Sequence, residues 1–311
     1  MRVQPVSGWV LFAAVAVAAA GSGCGDKAPE RPSGKPKVVA TTMQVGDLVR
    51  EIAGERVELQ VLMGPGVDPH LYQPTPADLT ALRSADRVLY NGLGLEGKMA
   101  DVLENKLGKR SVAVAAAIPD RMLIQADGKG RDAHVWFDPR LWKLASRVVT
   151  RELIRIDAKG QAAYRYNLRR LEVNLDGLHG YARGQFEGIP ESRRVLITCH
   201  GAFAYLGRAY GLKVLTLESP GTEAEAVEYV VKHKVPAAFA ESSLPPQGID
   251  RLRAACKARG VDLKGGAGSG LELYSDAMGA PGEKGGYAVE AYPGMMRYNV
   301  DTIVKGLTGG K

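Results

Sequence analysis

The chain has 311 residues, enough for two ordinary domains, and its 45% hydrophobic content supports sizeable cores. Charged residues make up 24%, a globular proportion that excludes wholesale disorder. The formal charge is +7, but the cations are scattered and aromatics reach only 6%. That argues against a nucleic-acid platform and suits anionic surroundings such as a membrane surface.

At the N-terminus, Arg2 precedes a 12-residue apolar run, 9–20. The run is too short to span a bilayer but has the length of a signal-peptide core. Gly21, Ser22 and Gly23 then lead into Cys24. Small residues before a cysteine resemble the lipobox of bacterial lipoproteins, in which the mature chain begins at a lipidated cysteine. Gly21 departs from that motif, which usually has an aliphatic residue there. Cleavage within 17–20 without lipidation is the alternative. We read 1–23 as a signal peptide and 24–36 as the lipidated Cys24 with a flexible, proline-containing tether. The other two cysteines, Cys199 and Cys256, are either bridged in an oxidising compartment or buried thiols.

From residue 37 the chain alternates short β-branched runs with helical patterns, which predicts an α/β fold with parallel sheets and flanking helices. A first set of strands falls at 37–42, 57–62, 87–91 and 112–115. Val45, Leu48, Val49 and Ile52 make a helix between the first two, stopped at Gly54. Thr75, Pro76 and Asp78 mark the start of the next helix. A second set of strands falls at 194–199, 213–217, 237–241 and 261–264. A closing helix is built around Met296, Val300, Ile303, Val304 and Leu307.

Between the sets, Tyr164, Leu168, Leu171, Leu175 and Leu178 keep helical spacing. One helix of about 40 Å, at 1.5 Å per residue, is expected over roughly 160–187, stopped by Gly188 and Pro190. Gly177, Gly180 and Gly184 weaken its second half, which leaves an earlier end as the alternative. The predicted architecture is two lobes, 37–158 and 189–311, joined by a long rigid helix at 159–188.

Three of the five histidines stand at or near strand ends or in loops beside turn residues, where open α/β sheets place their ligands. His70 lies in GPGVDPHLYQPTPADL, His134 in DAHVWFDP, and His200 directly after RVLITC. Spacings of 64 and 66 residues exclude a local metal motif and fit separate units that each send one ligand to a shared point. His179 and His233 lack such a context and are read as surface residues.

The segments GPGVDPHLYQPTPADL, HVWFDP, HGAFAYLGRAYGL and ELYSDAMG, in this order, resemble the metal-binding receptor lipoproteins of bacterial zinc and manganese ABC importers, the zinc-uptake component A family. The likeness runs from about residue 37 to the end. It implies two α/β lobes on a rigid helix with metal in the cleft. Motif by motif, it implies His70, His134, His200 and Asp276 as ligands. It further implies an ABC permease with its ATPase as partner, membrane attachment through a lipid anchor, an extracytoplasmic location (periplasm or cell surface), and a monomer.

Three imidazoles and one carboxylate make a closed site suited to capture, whereas a metal hydrolase keeps a position open for water. Asp68, Asp138 and Glu241 are candidates to hold the far nitrogen of a ligand histidine. Asp68 and Asp138 also sit beside prolines, where aspartates often cap turns.

Two departures from the family stand out. Gly201 follows the third histidine where aspartate is frequent. The stretch 121–132 is short and lacks the histidine-rich loop of many zinc members. Manganese-type members carry glutamate in place of His200, and nitrogen-rich sites favour zinc, so Zn2+ is the expected ion and Mn2+ the alternative. The expected function is a solute-binding protein, not an enzyme. A manganese or iron receptor of the same fold is the nearest alternative. A lipid-anchored zinc hydrolase or a surface adhesin is the alternative of another class.

Overall fold

A computed structural model describes residue 1 and residues 34–126, 130–218 and 221–309. The signal segment, Cys24 and the tether up to residue 33 lie outside them. The first strand set forms one parallel sheet of β1 (Lys37–Ala40), β2 (Glu58–Val61), β3 (Arg87–Tyr90) and β4 (Ser111–Ala113), in the order β2-β1-β3-β4. Central β1 and β3 read as continuous apolar runs because both faces are covered: Val38, Val39, Val88 and Leu89 are all buried. Edge strand β2 alternates instead, with Glu58 and Gln60 exposed.

Parallel neighbours require crossovers, and these carry the helices. Helix α1 (Met43–Ala53) starts where Thr42 Oγ1 accepts the Val45 N–H at 3.3 Å. It ends at Gly54, whose φ of 54° favours glycine. Helix α2 (Pro76–Ser84) opens with a reciprocal capping box between Thr75 and Asp78. Periodicity leaves 140–158 without an assigned element; the structure makes most of it α3 (Pro139–Ile156), capped by Asp138.

Helix α4 (Gln161–Glu187) is unbroken, and its three glycines do not shorten it. Each glycine costs the helix about 0.5–1 kcal/mol. Burial of Tyr164, Leu171, Leu175, Leu178 and Phe186 is worth about 1.5–3 kcal/mol per side chain and outweighs that cost. The helix packs on α1, on α3 and on the C-terminal helix α8 (Tyr292–Thr308), and so joins the two strand sets.

In the stretch before His134, β5 (Gln125–Ala126) and β6 (Gly130–Arg131) make a small antiparallel pair. The second strand set holds β7 (Val195–Thr198) beside β8 (Lys213–Thr216), and β9 (Ala240–Glu241) beside β10 (Glu272–Leu273), all parallel. A bridge between Thr198 and Phe239 connects the two pairs. Helices α5 (Ala204–Tyr210), α6 (Thr222–His233) and α7 (Gln247–Ala258) flank them. The strand expected at 261–264 reduces to one bridge at Lys264. At Gly265, with φ of 136°, a Cβ would lie 2.1 Å from the Ala238 carbonyl oxygen. Only glycine lets the chain pass that close, and β10 follows it as the partner of β9.

One apolar cluster runs from Val38 and Leu89 through Trp136, Phe137, Phe203 and Tyr292 to Phe239 and Met296, so the two lobes share a core. Cys199 and Cys256 are free thiols, which closes the disulfide alternative. Among the described residues, no helix is long and apolar enough to cross a membrane.

Candidate metal centre

Each of the four candidate ligands follows a different strand. His70 is in the loop after β2, held by a turn in which Asp68 Oδ1 accepts the His70 N–H at 2.8 Å. His134 follows the segment after β4, and Asp132 Oδ1 accepts its N–H at 2.8 Å in the same way. His200 lies just past β7, with its N–H given to Glu241 Oε1 at 2.8 Å. Asp276 lies past β10. Its peptide is held from the other lobe, where Gln44 Nε2 donates to the Asp276 carbonyl at 2.9 Å and Trp136 Nε1 donates to that of Ser275 at 3.2 Å.

The side chains converge. His134 Nε2 is 3.3 Å from His70 Nε2 and 3.1 Å from His200 Nε2. Asp276 Oδ1 is 3.2 Å from His134 Nε2, and its Oδ2 is 3.5 Å from His200 Nε2 and 4.0 Å from His70 Nε2. All four ligand atoms lie within 4.8 Å of one another. A tetrahedral ion with bonds of roughly 2.0–2.2 Å places its ligand atoms roughly 3.3–3.6 Å apart, so the cluster already has about the right size.

Electrostatics point the same way. Both Asp276 oxygens are buried without a well-aligned hydrogen bond, and Oδ1 faces His134 Nε2 at 3.2 Å. A buried carboxylate in that condition is costly unless a cation meets it. Burial works against its charge, yet His134, His200 and His70 hold its pKa below the ordinary carboxylate value. For His134, burial opposes the proton, but Asp276 and Asp132 outweigh it and push the pKa up to about 10. For His200, burial is likewise overcome, by Glu218 and Asp276, and the pKa rises. At His70 burial prevails and the pKa falls, with Asp276 opposing it only in part.

The three outer carboxylates expected from the sequence are placed differently from one another. Glu241 and Asp68 grip backbone N–H groups of ligand-candidate histidines, not imidazole nitrogens. Burial raises the Glu241 pKa to about 7. Asp138 caps α3 by accepting the Arg140 N–H at 3.0 Å and pairs with its guanidinium, so the proline beside it marks a helix start. The carboxylates that do meet imidazoles are Asp132, 2.8 Å from His134 Nδ1, and Glu218, 2.6 Å from His200 Nδ1. Sequence reasoning missed both. A signal existed for Glu218, which stands just beyond a strand as His200 does. His179 meets the Tyr210 hydroxyl at 3.1 Å and His233 stacks on Tyr229, so neither joins the cluster.

A two-lobed α/β frame that brings three imidazoles and a carboxylate together from four loops has the build of a metal-binding protein. Residues 38–306 match the family described as zinc-uptake complex component A, periplasmic, and the chain belongs to that family. The manganese-binding lipoprotein MntA of Bacillus subtilis (strain 168) is 41% identical over 310 residues, covering 96% of this chain and 97% of its own. The zinc-binding protein TroA of Treponema pallidum (strain Nichols) is 40% identical over 283 residues, covering 88% and 89%. The solved structure of periplasmic zinc-binding TroA from Treponema pallidum superposes with a TM-score of 0.81 at 39% identity, covering 88% of this chain and 99% of that one.

Proposed function

We propose that this chain is an extracytoplasmic receptor that captures a divalent transition metal between its lobes, 37–158 and 189–311, and delivers it to an ABC permease and its ATPase. His70, His134, His200 and Asp276 are the proposed ligands. The observation that carries the reading is the buried Asp276 carboxylate gathered with three imidazole nitrogens within 4.8 Å of one another. Asp276 as a fourth ligand supports capture over hydrolysis, which needs a position kept open for water. The relatives named as lipoproteins support attachment through Cys24.

Zinc is the proposed cargo. Three nitrogens and one carboxylate suit four-coordinate zinc, whereas manganese prefers six ligands, mainly oxygens. The likeness to a relative named as manganese-binding makes Mn2+ the second reading. Competition titration of purified protein against a calibrated chelator separates them. One zinc per chain, held more tightly than manganese, is expected. Tighter manganese would overturn the choice of ion, and no binding of either would overturn the site.

A further inference from the structure

The His200 ring is held from two sides. Its backbone N–H is fixed by Glu241, and its Nδ1 meets Glu218 Oε1 at 2.6 Å. The next N–H, that of Gly201, donates to the other oxygen of the same carboxylate, Glu218 Oε2, at 3.1 Å. One side chain from the end of β8 therefore grips both the imidazole and the peptide that follows it.

Gly201 leaves room for this grip. Its φ lies outside the left-handed region, so the backbone does not demand glycine there. A Cβ at Gly201 would point at Glu218 Oε2 from 3.1 Å. A Cβ there would make the Glu218 carboxylate shift by a few tenths of an ångström. The missing side chain and the incoming carboxylate are complementary.

We propose that Glu218 is the positioning residue for His200 in metal capture, through its contacts with His200 Nδ1 and the Gly201 N–H. The proposal rests on His200 being a ligand. A carboxylate can only accept, so it selects the tautomer with the proton on Nδ1 and leaves the Nε2 lone pair facing the ion. It also holds the ring before the ion arrives, which reduces the ordering cost of binding. His134 is served in the same manner by Asp132, a buried residue two positions away. Glu218 instead arrives from another strand, and its side chain is 49% exposed.

Outer partners of this kind are typically worth about 10–100-fold in metal affinity. Because water reaches Glu218, its removal is expected at the low end, about 10-fold. The experiment measures zinc affinity by chelator competition on the full chain, zinc dissociation by stopped flow, and imidazole resonances of the zinc-loaded, 15N-histidine-labelled protein. The variants are His200→Ala and Glu218→Ala. Glu218→Ala should weaken zinc about 10-fold through faster dissociation. It should also move the His200 Nδ1–H resonance upfield and speed its exchange with water.

If His200→Ala weakens zinc while Glu218→Ala changes neither affinity nor the Nδ1–H resonance, the role of Glu218 falls and the site stands. A loss of affinity in Glu218→Ala with that resonance unmoved also overturns the proposal, because the carboxylate would then act by charge alone. If His200→Ala leaves zinc affinity intact, the ligand assignment itself fails.

Discussion

Asp47 offers a quantitative test of how the lobes are braced. It lies on the buried face of α1, and its Oδ2 accepts the Tyr292 N–H at 3.1 Å, tying α1 to the first turn of α8. Burial raises its pKa from 3.8 to about 6, against the opposing effects of Tyr292 and Arg50. Between those two values the folded chain keeps a proton that the unfolded chain has lost. Stability therefore falls as pH rises through that window, and the loss persists above it. A shift of about two units at 1.36 kcal/mol each amounts to about 3 kcal/mol. Asp47→Asn removes the charge and keeps an acceptor for Tyr292. The lost contact with half-exposed Arg50 costs little. Urea unfolding followed by tryptophan fluorescence should show the variant more stable than wild type by up to about 3 kcal/mol at pH 8, with the gain vanishing near pH 3.5. A difference that does not change with pH would refute the reasoning.

Chelator competition should show that His200→Glu narrows the preference for zinc over manganese and that Asp276→Ala weakens both, while His179→Ala and His233→Ala change neither. With the His134 pKa raised to about 10, the metal-free site holds a proton at neutral pH that the ion must displace. Calorimetry at pH 7.5 in buffers of different ionisation heat should therefore find about one or more protons released per zinc, with affinity falling as pH falls; zero release would contradict the arrangement. Gly306→Ala would place a methyl 2.7 Å from the buried Phe239 ring, and an overpacking cost of about 1–3 kcal/mol should appear as a lower Tm.

The fold was legible where one local signal sufficed. Continuous apolar runs marked the central strands β1 and β3. The capping residues Thr75 and Asp78 marked α2, and the four-three spacing of Tyr164 to Leu178 marked α4. It was less legible where tertiary context decided. The three glycines of α4 argued for an early end, but packing on α1, α3 and α8 carried the helix through. The short β10 is too brief to stand out as a run, and it pairs because Gly265 lets the chain cross close to Ala238.

The site shows the same division within one motif. The sequence contains two aspartate-x-histidine triplets, Asp68 with His70 and Asp132 with His134. In both, Oδ1 accepts the histidine N–H at 2.8 Å, a turn that the spacing alone explains. Only Asp132 also meets the ring Nδ1, at 2.8 Å. The difference is not written in the triplets. His134 is enclosed, with its side chain 7% exposed and Trp136 packed across its ring, whereas that of His70 is 32% exposed. The enclosed histidine has a carboxylate on each side, Asp132 behind and Asp276 ahead, which fixes its ring with Nε2 towards the cluster. The exposed one has its backbone held and its ring less constrained. His134 and Asp276 thus form the preorganised half of the cluster, and His70 is the proposed ligand whose side chain is most open to solvent. Which histidine plays which part depends on burial contributed by residues far away in the chain, so spacing could nominate both triplets but not distinguish them.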